Sequence, residues 1–153
     1  MGYNFGVGRE APQFDLMGHD GSRVSLKQYR GDWFVVVVFL GADQAAASAV
    51  VTALSAVADQ LWGLRAQLIG IVHGDGETAR AVADQADRAE FPLLADGEAA
   101  VARAFGAHDA AAARVRPYAV IVDRAGKIVW TADGGTASVK PAAIVTGLKT
   151  VAR

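Results

Sequence analysis

The stretch FVVVVFLGADQAAASAVV, residues 34–51, runs from an apolar strand straight into an alanine-rich helix, and its reading decides the fold. The run ending at Leu40 is too continuously apolar for a half-exposed strand and fits a central strand buried on both faces. Asp43 is a good N-cap for the helix that follows. Val50, Val51, Leu54, Val57 and Leu61 recur at helical spacing, which predicts one helix with a single apolar face, closed by Gly63. A strand–helix junction of this kind offers free backbone N–H groups and the positive end of a helix dipole. The residues placed there are Gly41, Ala42, Asp43, Gln44, Ala45, Ala46, Ala47 and Ser48, with one hydroxyl and no cysteine, histidine or lysine.

Working outward, APQFDL (11–16) alternates apolar and polar residues, and GHDGSRVSL (18–26) supplies a turn and a second short strand, together an N-terminal hairpin. QLIGIV (67–72) is a second buried strand, so strand, helix and strand form a parallel right-handed crossover. GETARAVADQADR (76–88) reads as an exposed helix, FPLL (91–94) as a short strand and GEAAVARAFGA (97–107) as a helix. In RPYAVIVDRAGKIVWTA (116–132) two β-rich runs flank Asp123-Arg124-Ala125-Gly126, a hairpin by its turn chemistry. KPAAIVTGLKTVA (140–152) closes the chain as a helix with Pro141 in its first turn. A parallel half followed by an antiparallel hairpin and a closing helix is the thioredoxin topology. Pro117 opens the penultimate strand, a place that suits a cis X-Pro turn, although sequence alone does not show the isomer. The fold class is therefore α/β: a central mixed sheet flanked by helices with an N-terminal β-hairpin, in one domain spanning residues 1–153.

Composition narrows the function. With 15 basic and 16 acidic residues the net charge is −1, which gives no electrostatic footprint for nucleic acid or anionic lipid. No apolar run approaches the roughly 20 residues of a membrane span. Residues 1–5 show no basic region followed by an apolar core, so a cytoplasmic protein is expected. Zero cysteines removes thiol nucleophiles, disulfides and thiolate metal sites at once.

Four segments carry a resemblance: GREAPQFDLMGHDGSRVSLKQYRGDWFVVVVFLGAD, AQLIGIVHGDGE, FPLLADGEAAVARAFGA and RPYAVIVDRAGKIVWTADGG, from about residue 8 to residue 135. In these the chain resembles a peroxiredoxin of the alkyl hydroperoxide reductase/thiol-specific antioxidant (redoxin) family. That family carries P-x-x-x-T-x-x-C at the end of the first buried strand and the start of the next helix. Here the proline falls on Gly41, the threonine on Ala45 and the peroxidatic cysteine on Ser48. The family's arginine belongs just ahead of YAVIVD, where Arg116 is one position out of register and Pro117 takes its place. A helix N-terminus and an arginine bring a thiol with an ordinary pKa near 8.5 to its thiolate. Serine gains no such alkoxide, and its oxygen does not cycle through a sulfenic acid. Ser48 alone would suit an antioxidant peroxiredoxin whose cysteine had been exchanged deliberately. Loss of the proline and threonine with it points to a natural cysteine-free homologue without thiol peroxidase activity.

The remaining candidates are few. Of His19, His73 and His108, only His73 ends a parallel strand at the same edge as Ser48, making it the one plausible base for a Ser48 nucleophile. Ser48, His73 and Arg116 are thus the catalytic candidates of a divergent enzyme. Asp43, Ser48, Arg116 and Pro117 are the ligand-binding candidates, although Asp43 reads first as an N-cap and Ser48 as a first-turn serine bonding local backbone. The methyl groups at 45, 46 and 47 would leave a smoother hollow suited to a small apolar ligand, or let the turn pack tighter. HGDGE (73–77) has the glycines of a phosphate cradle but carboxylates that would repel an anion. Arg114 and Arg116 could hold an anion in the expected pocket, or lie in a solvated loop. His108 beside Asp109 reads as a surface loop pair, with no metal site expected and no cofactor. Trp33, Trp62 and Trp130 read as packing residues. The leading expectation is a binding or assembly module, resembling the cysteine-free accessory domains of some non-haem iron oxygenases and flavin hydroxylases. The resemblance also implies a homodimer; a protein partner or a small apolar ligand fits the same reading.

Overall fold

β3 (Phe34–Leu40) is buried along its whole length, because both of its faces are covered. The computed structural model describes residues 7–41, 43–87, 89–109, 114–115, 118–132 and 140–152, with backbone alone at His108, Asp109 and Arg114. The hairpin of β1 (Asp15–Met17) and β2 (Arg23–Ser25) leads through a 3-10 turn at Leu26–Tyr29 into β3. Then follow α1 (Gln44–Ser55), α2 (Ala58–Gly63), β4 (Ala66–Val72), α3 (Gly76–Gln85), β5 (Leu93–Ala95) and α4 (Ala100–Phe105). Two short strands, β6 (His108–Asp109) and β7 (Arg114–Val115), precede β8 (Tyr118–Val122), β9 (Ile128–Ala132) and α5 (Pro141–Val151).

The main sheet has the order β5-β4-β3-β8-β9. β3 pairs parallel with β4 and antiparallel with β8, in the register Val37↔Ile69 and Val37↔Val120. Side chains alternate across a strand, so Val36, Val38 and Leu40 face one core with Val51 and Leu54 of α1, Val82 of α3 and Ile144 and Leu148 of α5. Val35, Val37 and Phe39 face a second core with Phe14, Leu26 and Phe105. The hairpin at Asp123–Gly126 forms as expected: Asp123 Oδ1 accepts from the N–H groups of Ala125 and Lys127, each at 2.9 Å.

Three expectations need correction. The helix after Asp43 is not continuous: Ala56 N–H and Val57 N–H turn back to Ala53 O and Leu54 O, and the chain restarts as α2. Leu61 is still fully buried, but Trp62 beside it is 56% exposed, so it is not a core packing residue. Its ring instead lies against Trp33, with centroids 4.3 Å apart. His108 and Asp109 lie in β6, paired with Val115 and Arg114, not in a loop. Arg116 and Pro117, and with them the cis turn, lie outside the described residues.

Candidate functional site

The strand–helix junction is built tightly. At Gly41 a Cβ would come within 3.1 Å of Val115 O, so the end of β3 runs close under β7 where a proline ring is expected in the resembled motif. Asp43 is the N-cap of α1: its Oδ1 accepts from Ala46 N–H at 3.1 Å. That bond occupies one of the free donors of the first turn. The Asp43 carboxylate also stands where an anionic ligand or a thiolate would need positive potential. Ala45 and Ala46 are exposed, whereas Ala47 and Ser48 are buried.

Ser48 is 4% exposed. Its single hydroxyl proton is directed at two backbone carbonyls, Gln44 O at 2.7 Å and Val82 O at 3.1 Å. The first is the back-bond open to a serine on a helix; the second crosses to α3. Farther along the same face, Thr52 Oγ1 accepts from Asp87 N–H at 3.1 Å, and Ser55 Oγ accepts from Glu90 N–H at 2.9 Å. Ser48, Thr52 and Ser55, at i, i+4 and i+7, thus form a polar seam joining α1 to α3 and to the segment that leads into β5. The sequence reading saw the apolar stripe of this helix and missed the hydroxyl row beside it.

His73 sits just past β4, and its N–H points to Leu40 O at 3.4 Å. Its Nδ1 is buried without a hydrogen-bond partner among the described residues. No hydrogen bond joins it to Ser48, whose proton goes to the two carbonyls. The structure therefore places the two candidates at one sheet edge without forming the nucleophile–base contact. The loop after His73 is used locally: Asp75 caps α3 through Thr78 N–H at 2.9 Å. Hydrogen bonds from the Thr78 backbone and side chain hold the Asp75 carboxyl below the usual range. Asp96, which sequence reading passed over, is buried and caps α4, accepting from Ala102 N–H at 3.0 Å and Val101 N–H at 3.3 Å. An aspartate just before a helix was the available signal.

Clefts lined by described residues lie elsewhere. One, of about 700 Å³, opens between the β1–β2 turn and α3, with His19, Asp75, Glu77, Arg80 and Asp84 on its walls. Among the described residues no three of His, Asp and Glu gather as a metal-holding group, and no helix is long and apolar enough to cross a membrane.

The AhpC/TSA family model matches residues 7–131, and the chain belongs to this family. Solved structures agree on the fold. Peroxidoxin BcpB from Mycobacterium tuberculosis superposes with a TM-score of 0.81 at 20% identity, over 97% of this chain and 99% of that one. Enterococcus faecalis AhpC gives 0.83 at 19% identity, over 97% and 92%. A cysteine-to-serine mutant of Xylella fastidiosa PrxQ gives 0.79 at 14% identity, over 99% and 100%. No curated protein sequence matches the chain. The fold is the peroxiredoxin form of the thioredoxin fold, and with no cysteine the chain lacks the thiol on which peroxidatic chemistry runs.

Proposed function

We propose that this chain is a family member without peroxidase activity that works as a binding or assembly module and pairs as a homodimer. The observation that carries this reading is the fate of Ser48. Where the resembled motif puts a reactive sulfur at the mouth of a pocket, this chain has a buried hydroxyl bonded to Gln44 O and Val82 O. Asp43 adds negative charge at the helix end that a thiolate or peroxide site would keep positive. What remains is a rigid family scaffold whose old reaction centre has been converted into helix packing.

The test is hydrogen peroxide and organic peroxide turnover with a thiol reductant, for wild type beside Ser48→Cys, together with sedimentation of the wild-type protein. No turnover by either protein, with a dimer in sedimentation, is expected. Turnover by the wild type overturns the loss of peroxidase function; turnover by Ser48→Cys alone overturns the conversion of the site, since it would then lack only its sulfur. A monomer at every concentration overturns the homodimer.

A further inference from the structure

The outer edge of β5 is closed by one histidine. His19 N–H donates to Leu93 O at 2.7 Å, and Leu93 N–H donates to His19 Nδ1 at 3.1 Å. In an antiparallel pair two residues exchange N–H and C=O; here the imidazole nitrogen takes the place of the carbonyl. The bridge Gly18↔Leu94 continues the pairing. The β1–β2 turn thereby covers backbone groups of an edge strand that would otherwise be open.

A ring nitrogen accepts only with a free lone pair, so this ring is the neutral imidazole with its proton on Nε2. Imidazolium has N–H donors at both nitrogens and would set donor against donor at Leu93. From this geometry we infer that His19 is a pH-operated latch, which holds the 18–22 turn on β5 when neutral and frees it when protonated. The hairpin itself stays docked, because Phe14, Val24 and Leu26 are buried in the second core; only the turn lifts. Charged groups face the ring from the elements around it. Asp20 adjoins it in the turn, and Asp75, Glu77 and Asp84 of α3 face it across the cleft, with Arg80 the one opposing charge among the described residues that line it. β5 brings Leu93 and Leu94 to the contact and no charge. Asp20 and Asp75 are held below the usual carboxylate range by hydrogen bonds from Ser22 and Thr78, so both stay ionised while a histidine titrates.

The experiment is amide hydrogen exchange by NMR on the whole protein from about pH 8 to about pH 5, with rates divided by the intrinsic rate at each pH. The Leu93 amide is expected to lose protection roughly fivefold or more toward acid, the scale of one lost hydrogen bond, while amides of β3 keep theirs. In His19→Asn the amide oxygen can accept at the Nδ1 position without titrating, so protection at Leu93 should persist across the range. Constant protection in wild type overturns the latch. So does an unchanged acid loss in His19→Asn, which would assign the titration to another group.

Discussion

Ser48 Oγ lies 3.1 Å from Val82 O, and this contact gives the residue its role: it is the first rung of the seam between α1 and α3. Val82 O also accepts from Ala86 N–H at 3.0 Å, so removing the hydroxyl leaves no buried carbonyl without a donor. Ser48→Ala is therefore expected to cost about 0.5–1.5 kcal/mol, the net worth of one ordinary hydrogen bond. Urea unfolding measures it. A loss of several kcal/mol would mean that the seam fails as a unit.

Ser48→Cys makes the chemical side of the same point. A thiol there would be buried and would face two carbonyl oxygens, which bond to S–H and repel a thiolate. Both effects raise the thiol pKa above its ordinary value of about 8.5. The variant is expected to react with an aromatic disulfide reagent at neutral pH at least about tenfold more slowly than a small free thiol. Fast reaction would show a site still poised for sulfur chemistry.

Much of the fold was legible because single local signals carried it. The continuous apolar run of β3, the repeat of that signal in β4, and the Asp123–Gly126 turn each specify an element without help from distant residues. The break at Ala56 was not legible, since neither Ala56 nor Val57 is a helix breaker. Of the site, the absence of a thiol was legible in the sequence alone. What replaced it was not: the row Ser48, Thr52 and Ser55 acquires meaning only when Val82, Asp87 and Glu90 are brought against it. The bond from Leu93 N–H to His19 Nδ1 spans a 74-residue separation and leaves no local trace.

Gly147 lies inside α5 because Trp130 of β9 presses against it. An added Cβ would sit 2.5 Å from Trp130 Cε2 and 2.8 Å from Nε1. Helix propensity alone favours alanine over glycine by about 1 kcal/mol, but overpacking typically costs about 1–3 kcal/mol. Gly147→Ala is expected to destabilise, and Trp130→Leu in the same chain to recover part of that loss. Stabilisation by the single substitution, read from thermal melts, would contradict the contact.

Acid should weaken the start of α3. The Asp75 carboxyl is held low by the Thr78 backbone bond first and the Thr78 hydroxyl second. A depressed folded-state pKa means that the unfolded chain takes up the proton first. The stabilisation is therefore complete above the ordinary aspartate range, about pH 4, and is lost as pH falls through the lower folded value. Urea melts of wild type and Asp75→Asn are expected to differ most near neutrality and to converge in acid. A gap that stays constant with pH would show that the cap works without its charge.

His73 Nδ1 is the last relationship that the fold leaves open, buried just past β4 with no partner among the described residues. An unsatisfied buried polar atom costs about 1–3 kcal/mol, so removing it should help where the replacement fits. His73→Leu is expected to stabilise by about 1 kcal/mol, which for a domain of this size raises Tm by about 2–4 °C. Nothing in the Ser48 seam depends on the imidazole, so the substitution should leave self-association unchanged in sedimentation. A fall in Tm instead would mean that Nδ1 is hydrogen-bonded in solution. A fall in self-association would place His73 at the interface and make its orphaned nitrogen a binding group.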